Sequence, residues 1–86
     1  MENKIGYRVR IVAIFDGGSV EFKDEFFKIY EAAYRVFNYI TLDGVQDSFN
    51  APSTPREAYI SLNAIDGDGL VIKSNKKNKH RLLVRI

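Results

Sequence analysis

The last fourteen residues of the chain carry Lys73, Lys76, Lys77, Lys79, Arg81 and Arg85 with no acid among them, a charge of +6 before His80 is counted. Cations at this density neutralise phosphates and release counterions, which gives salt-dependent and largely sequence-independent affinity for a polyanion. Residues 1–72 hold seven basic and eleven acidic side chains, so a net charge of +2 conceals two segments of opposite sign. Arg8 and Arg10 extend the candidate surface. In Tyr7-Arg8-Val9-Arg10-Ile11 the two-residue period of a strand sets both arginines on the face opposite Tyr7, Val9 and Ile11. The predicted nucleic-acid-binding set is therefore Lys73, Lys76, Lys77, Lys79, His80, Arg81 and Arg85, with Arg8 and Arg10. Aromatic rings on the same face would add base stacking. The plainer reading of the lysines is a solvated turn that guards an edge strand.

Catalytic chemistry has little to draw on. His80 is the single histidine and sits in a lysine-rich turn, where neighbouring charge disfavours its protonated form. As a general base it would suit a compact toxin-type RNase, since phosphodiester cleavage asks for proton transfer and nearby cations. A solvated turn residue is the simpler reading, and no catalytic residue is assigned. The chain has no cysteine, which excludes disulfides, thiolate nucleophiles and Cys-type zinc or iron–sulfur centres. Asp66-Gly67-Asp68-Gly69 opens like a calcium loop, but position 77, where such a loop needs Glu, is Lys. A plain turn is expected there, with no metal and no cofactor.

The elements that must position these residues follow from period and turn chemistry. With 86 residues, 45% of them hydrophobic and 28% charged, the chain reads as one globular domain, residues 1–86. It shows no uninterrupted apolar stretch of signal-peptide or membrane-spanning kind, so a soluble, cytoplasmic protein is expected. Lys4 to Phe15 reads as a strand, Asp16-Gly17-Gly18 as a tight turn, and Ser19 to Phe22 as the returning strand. From Asp24, a candidate N-cap, the period turns helical. Phe26, Tyr30, Ala33, Phe37 and Ile40 form one wide stripe, and Asp43-Gly44 is the expected stop. Gln46 to Pro55 is expected as a loop. For residues 55–64, Thr54-Pro55-Arg56-Glu57 has the spacing of a capping box, whereas Ala58, Ile60, Leu62 and Ala64 alternate as in a strand. Strand is the preferred reading, supported by a weak echo between Ala13–Lys23 and Ala64–Lys73. Leu70–Ser74 and Arg81–Ile86 then pair as a last hairpin with a basic tip. The expected fold is α+β, a two-layer sandwich of about five antiparallel strands (ββα-βββ) with one long helix on one face.

The stripe is expected to form the core, leaving Phe27, Tyr34, Tyr39 and Phe49 as a candidate protein interface. The hairpin YRVRIVAIFDGGSVEF and the helix FFKIYEAAYRVFNYI resemble, in style over residues 7 to 40, the small accessory proteins of T4-type bacteriophages. That resemblance implies a host-takeover or anti-defence role in the host cytoplasm, often inhibition of a nuclease or RNase toxin by direct binding, and it transfers no site residues. The combined expectation is a non-enzymatic binding protein that engages RNA or a nucleic-acid-processing partner through its basic C-terminal hairpin. A protein–protein adaptor or inhibitor without nucleic-acid contact is the alternative, and a compact RNase the second. No membrane partner is expected; a homodimer through an edge strand stays open.

Overall fold

Gly17 and Gly18 follow Asp16 with φ of 91° and 90°, a region that glycine enters without a Cβ clash. The structure, a computed structural model, describes residues 5–86. In it β1 (Gly6–Ile14) and β2 (Val20–Phe27) flank that turn as an antiparallel hairpin. Lys4, where the first strand was expected to begin, lies outside the described residues. β2 continues past Phe22, and the physical reason is a cross-strand pair. Arg10 and Asp24 lie seven residues to either side of Gly17 and face each other. The guanidinium donates from Nε and Nη2 to both carboxylate oxygens at 2.6 and 2.8 Å. Asp24 is thus a strand residue paired with Arg10, not a helix cap.

Two helices stand where one was expected: α1 (Tyr30–Tyr39) and α2 (Leu42–Phe49). The chain breaks at Ile40 and Thr41, both extended, and the Thr41 hydroxyl accepts the Gly44 N–H at 3.2 Å. A threonine N-cap satisfies a backbone donor that the first turn of a helix leaves free. Asp43-Gly44 therefore opens a helix instead of stopping one, and Gln46–Phe49, expected in a loop, is helical. Asn50, at φ 55°, ends α2 in the left-handed conformation.

The strand reading of residues 55–64 holds from Glu57 on, as β3 (Glu57–Ile65), and β4 (Lys79–Val84) follows. Among the described residues the sheet has four antiparallel strands in the order β2-β1-β3-β4, where about five were expected. The missing strand is Leu70–Ser74, which contributes one bridge between Ile65 and Val71. Its turn shares the hydrogen-bond frame of the first: Gly69 N–H donates to Asp66 O and Asp66 N–H to Leu70 O, as Gly18 does to Phe15 and Phe15 to Ser19. The echo in sequence is therefore turn chemistry. The second hairpin stops early because the Asn78 side chain takes a strand's place, accepting from Ala64 N–H at 2.8 Å and donating to Ile72 O at 2.7 Å. β4 then occupies the remaining edge of β3.

Strand register sorts the side chains onto two faces. Val9, Ile11 and Ala13 share one face with Ala58, Ile60, Leu62 and Ala64, all buried. Ala33 and Phe37 of α1 and Val45 of α2 cover this face. The result is a two-layer α+β domain with both helices on one side and, among the described residues, the other side of the sheet bare.

Candidate nucleic-acid interface

The bare face can be written as rows across β2, β1, β3 and β4, because opposed residues of antiparallel strands point the same way. The first row is Phe26, Arg8 and Asn63; the second is Asp24, Arg10, Ser61 and His80. The third is Phe22, Val12, Tyr59 and Leu82, and the fourth Val20, Ile14, Glu57 and Val84. Two polar, cationic rows thus sit above two largely apolar ones. Several of these side chains are open to solvent: Phe22 at 68%, Phe26 at 65%, Tyr59 at 45% and Leu82 at 54%. A hollow of about 480 Å³ lies between Val12, Tyr59, Ser61, His80 and Leu82.

Charge concentrates at the end of the sheet that carries the first row. Residues 66–78 join β3 to β4 there, at the end opposite the Asp16-Gly17-Gly18 turn, and Lys73 and Lys76 in this connection are exposed. Arg8 lies on the bare face at the same end. Its Nε is buried without a hydrogen-bond partner among the described residues, and a buried donor left unpaired is costly. Arg10 is held by Asp24 and lies over the Phe22 ring, 5.5 Å from the centroid. That hydrogen bond, reinforced by simple attraction and outweighing burial, which opposes it, holds the Asp24 carboxyl below its ordinary value of 3.8 and raises Arg10. A carboxylate with a depressed folded pKa contributes stability that is complete above the unfolded value and fades as pH falls through the folded one. The expected result is that wild type and Asp24→Asn differ in thermal midpoint at pH 7 and that the difference shrinks progressively as pH falls below about 4. Midpoints measured across pH 2–7 check this.

The structure distributes the predicted cationic set over both faces and both ends of the sheet. Arg81 points to the helical face, where its Nη1 donates to Phe37 O and Ile40 O at 2.9 Å each. It closes the C-terminal end of α1, whose last carbonyls have no partner within the helix. Arg81→Met is expected to destabilise the fold by about 1–3 kcal/mol, the cost of orphaned acceptors, read by denaturant unfolding. Lys77 lies over two rings on the helical side, its Nζ 4.5 Å from the Tyr30 centroid and 5.7 Å from that of Tyr7. Arg85 is paired with Asp16 at 2.9 Å and donates to Thr54 O. Lys79 shares the helical face with Arg81, whereas His80 is exposed on the bare face opposite Ser61. Of the nine predicted residues, Arg8, Arg10 and His80 lie on the bare face, and Lys73 and Lys76 are exposed in the connection at the end where Arg8 lies.

The four predicted interface residues do not form one patch. Phe27 and Phe49 pack against the core, Phe49 edge-on to Phe15 at 6.5 Å. Tyr34 stacks on Tyr30 at 5.7 Å, and Tyr39 is 72% exposed. Five residues apart on α1, Tyr34 and Tyr39 point about 140° from each other. Sequence reading also missed Phe22, Phe26, Tyr59 and Ser61 as residues of the bare face. The signal for Phe22 and Phe26 was present: continuing the hairpin about Gly17 sets them opposite Val12 and Arg8, on the arginine face.

A second hollow, of about 520 Å³, lies between Thr41, Asp43, Thr54, Arg81, Leu83 and Arg85. Its two arginines are already engaged, as described. Asp66 Oδ1 accepts the N–H groups of Asp68 and Leu70 within its own turn. Among the described residues no three His, Cys, Asp or Glu side chains are placed to hold a metal ion, and no helix is long and apolar enough to cross a membrane. No protein-family model matches the chain, and neither a curated protein nor a solved structure shows significant similarity to it.

Proposed function

We infer that the chain is a small non-enzymatic binding protein whose partner is a polyanion, with RNA the best fit, acting in the cytoplasm. The observation that carries this is the placement, at one end of the sheet, of Arg8 on the bare face and of the connection that bears the exposed Lys73 and Lys76. Phosphate oxygens accept from guanidinium and ammonium groups, and counterion release supplies the driving force. Relative to the sequence reading, the surface moves from the whole C-terminal hairpin to the hairpin connection plus β1. Arg81, Lys77 and Arg85 are support.

A protein target is the second reading, favoured by the exposed apolar rows through Phe22, Leu82 and Val84. It agrees with the inhibitor role implied by the resemblance to phage accessory proteins, with a nuclease or RNase toxin as target. Amide chemical shifts during titration with a short oligoribonucleotide separate the two readings. The inferred function predicts shifts at residues 8–10, 61–63 and 73–80 and none along the exposed side of α1. Unchanged spectra at low salt refute it.

A further inference from the structure

We propose that the bare sheet face is a stacking platform for single-stranded RNA, with bases on Phe26, Phe22 and Tyr59 and phosphates on Arg8 and the connection lysines. The inference rests on the polyanion reading above and adds to it the form of the nucleic acid. Its first support is placement. The register puts all three rings on the face that carries Arg8 and Arg10, and all three are at least 45% exposed, with no element over them among the described residues. Surplus aromatics are normally drawn into a core this small.

Spacing supplies the second support. Phe26 and Phe22 are four residues apart on one strand, about 13 Å, and Phe22 and Tyr59 are two strands apart, about 10 Å. Bases in a duplex rise about 3.4 Å and present edges, not faces. Rings this far apart are reached only by a strand whose bases are splayed, as a single strand allows. Arg10 extends the platform, its guanidinium lying over Phe22 and held there by both Asp24 oxygens. Neutralised by that pair, Arg10 acts as a positioning residue and Arg8 as the cation. The hollow beside Tyr59 is bordered by Ser61 and His80, short polar groups able to meet a ribose hydroxyl, and this favours RNA over DNA.

The charge pattern argues against a second copy as the occupant. A sheet packed on this face would bury Arg8, Arg10, Asp24 and His80 in its upper half, and desolvating charges without new partners is unfavourable. A phosphate meets Arg8 instead.

The test compares wild type with Phe22→Ala, Phe26→Ala and Tyr59→Ala against a labelled single-stranded RNA, the same sequence as duplex RNA, and its single-stranded DNA counterpart. Each loss is expected to weaken single-strand binding about 5- to 150-fold, the range for one stacked base, with duplex affinity unchanged. Phe22→Tyr and Tyr59→Phe are expected to retain wild-type affinity, since the ring is kept. Because these side chains are exposed, circular dichroism is expected to show the fold intact. Ring variants that bind single strands as wild type does, or lose both forms equally, overturn the platform while leaving the polyanion reading in place. Equal affinity for RNA and DNA overturns the assignment to RNA. A wild type that binds no oligomer at low salt overturns both readings. Light scattering that shows a dimer dissociated by the ring variants gives the face to a second copy instead.

Discussion

Arg8→Glu combined with Lys73→Glu and Lys76→Glu is expected to lower affinity for a single-stranded oligonucleotide about 100-fold at 0.1 M salt. Each phosphate contact on a single strand contributes about 0.7 to the slope of log K against log salt, so it is worth about fivefold at that concentration. Three lost contacts multiply, and reversed charges add repulsion. The salt slope should fall by about 2 at the same time. Arg85→Glu is the matched control: it changes charge equally at one site, but its partner is Asp16 at the far end of the sheet. An exposed pair of that kind is worth at most about 1 kcal/mol to stability, and affinity should scarcely change. Lys77→Glu is a poor probe, because Lys77 lies over Tyr30 and Tyr7 and its loss would loosen the connection that carries Lys73 and Lys76. Fluorescence anisotropy across a salt series reads all of these variants.

Leu62→Ala is expected to have the largest effect on stability. Leu62 is fully buried on β3, opposite Val9 of β1 and Lys79 of β4, and belongs to the cluster that Ala33 and Phe37 cover. Truncating a buried leucine costs about 2–5 kcal/mol, the upper part where the site cannot collapse into the space left. At about 0.05–0.15 kcal/mol per residue, a chain of 86 residues has about 4–13 kcal/mol in all. The variant should therefore lose a large share of its stability in urea, and at the lower end of that range it should not fold. Leu82→Ala, on the same hairpin but exposed on the bare face, should change stability far less. A small effect at Leu62 and a large one at Leu82 would mean that the two faces of the sheet have been exchanged.

How far the fold was legible depended on whether the deciding contact was local. The Gly17-Gly18 turn fixed the first hairpin, and alternation through Ala58, Ile60, Leu62 and Ala64 identified β3, because in both cases the signal lies within the element itself. The helix region was read too early and as one piece. Phe26 and Tyr30 keep helical spacing, yet Asp24 is claimed by Arg10, fourteen residues back. The break at Ile40 and Thr41 is supported by Arg81, whose guanidinium reaches Phe37 O from 44 residues away. Nothing between Phe26 and Ile40 announces that partner. The candidate site was legible as charge but not as destination. Lys77, Arg81 and Arg85 read like phosphate ligands until the fold commits them to rings, helix carbonyls and Asp16. Phe22 and Phe26 were assigned to a strand end and a helix core, and only the full hairpin register moves them to the arginine face.

The central claim is tested most directly by the salt dependence of binding of the unmodified protein to single-stranded RNA, followed by anisotropy from low to near-physiological salt. The account predicts measurable affinity at low salt that weakens along a log–log slope of about −2 or steeper, about −0.7 for each phosphate held. Absence of binding at low salt, or binding indifferent to salt, would contradict it and leave the bare sheet face to a protein partner.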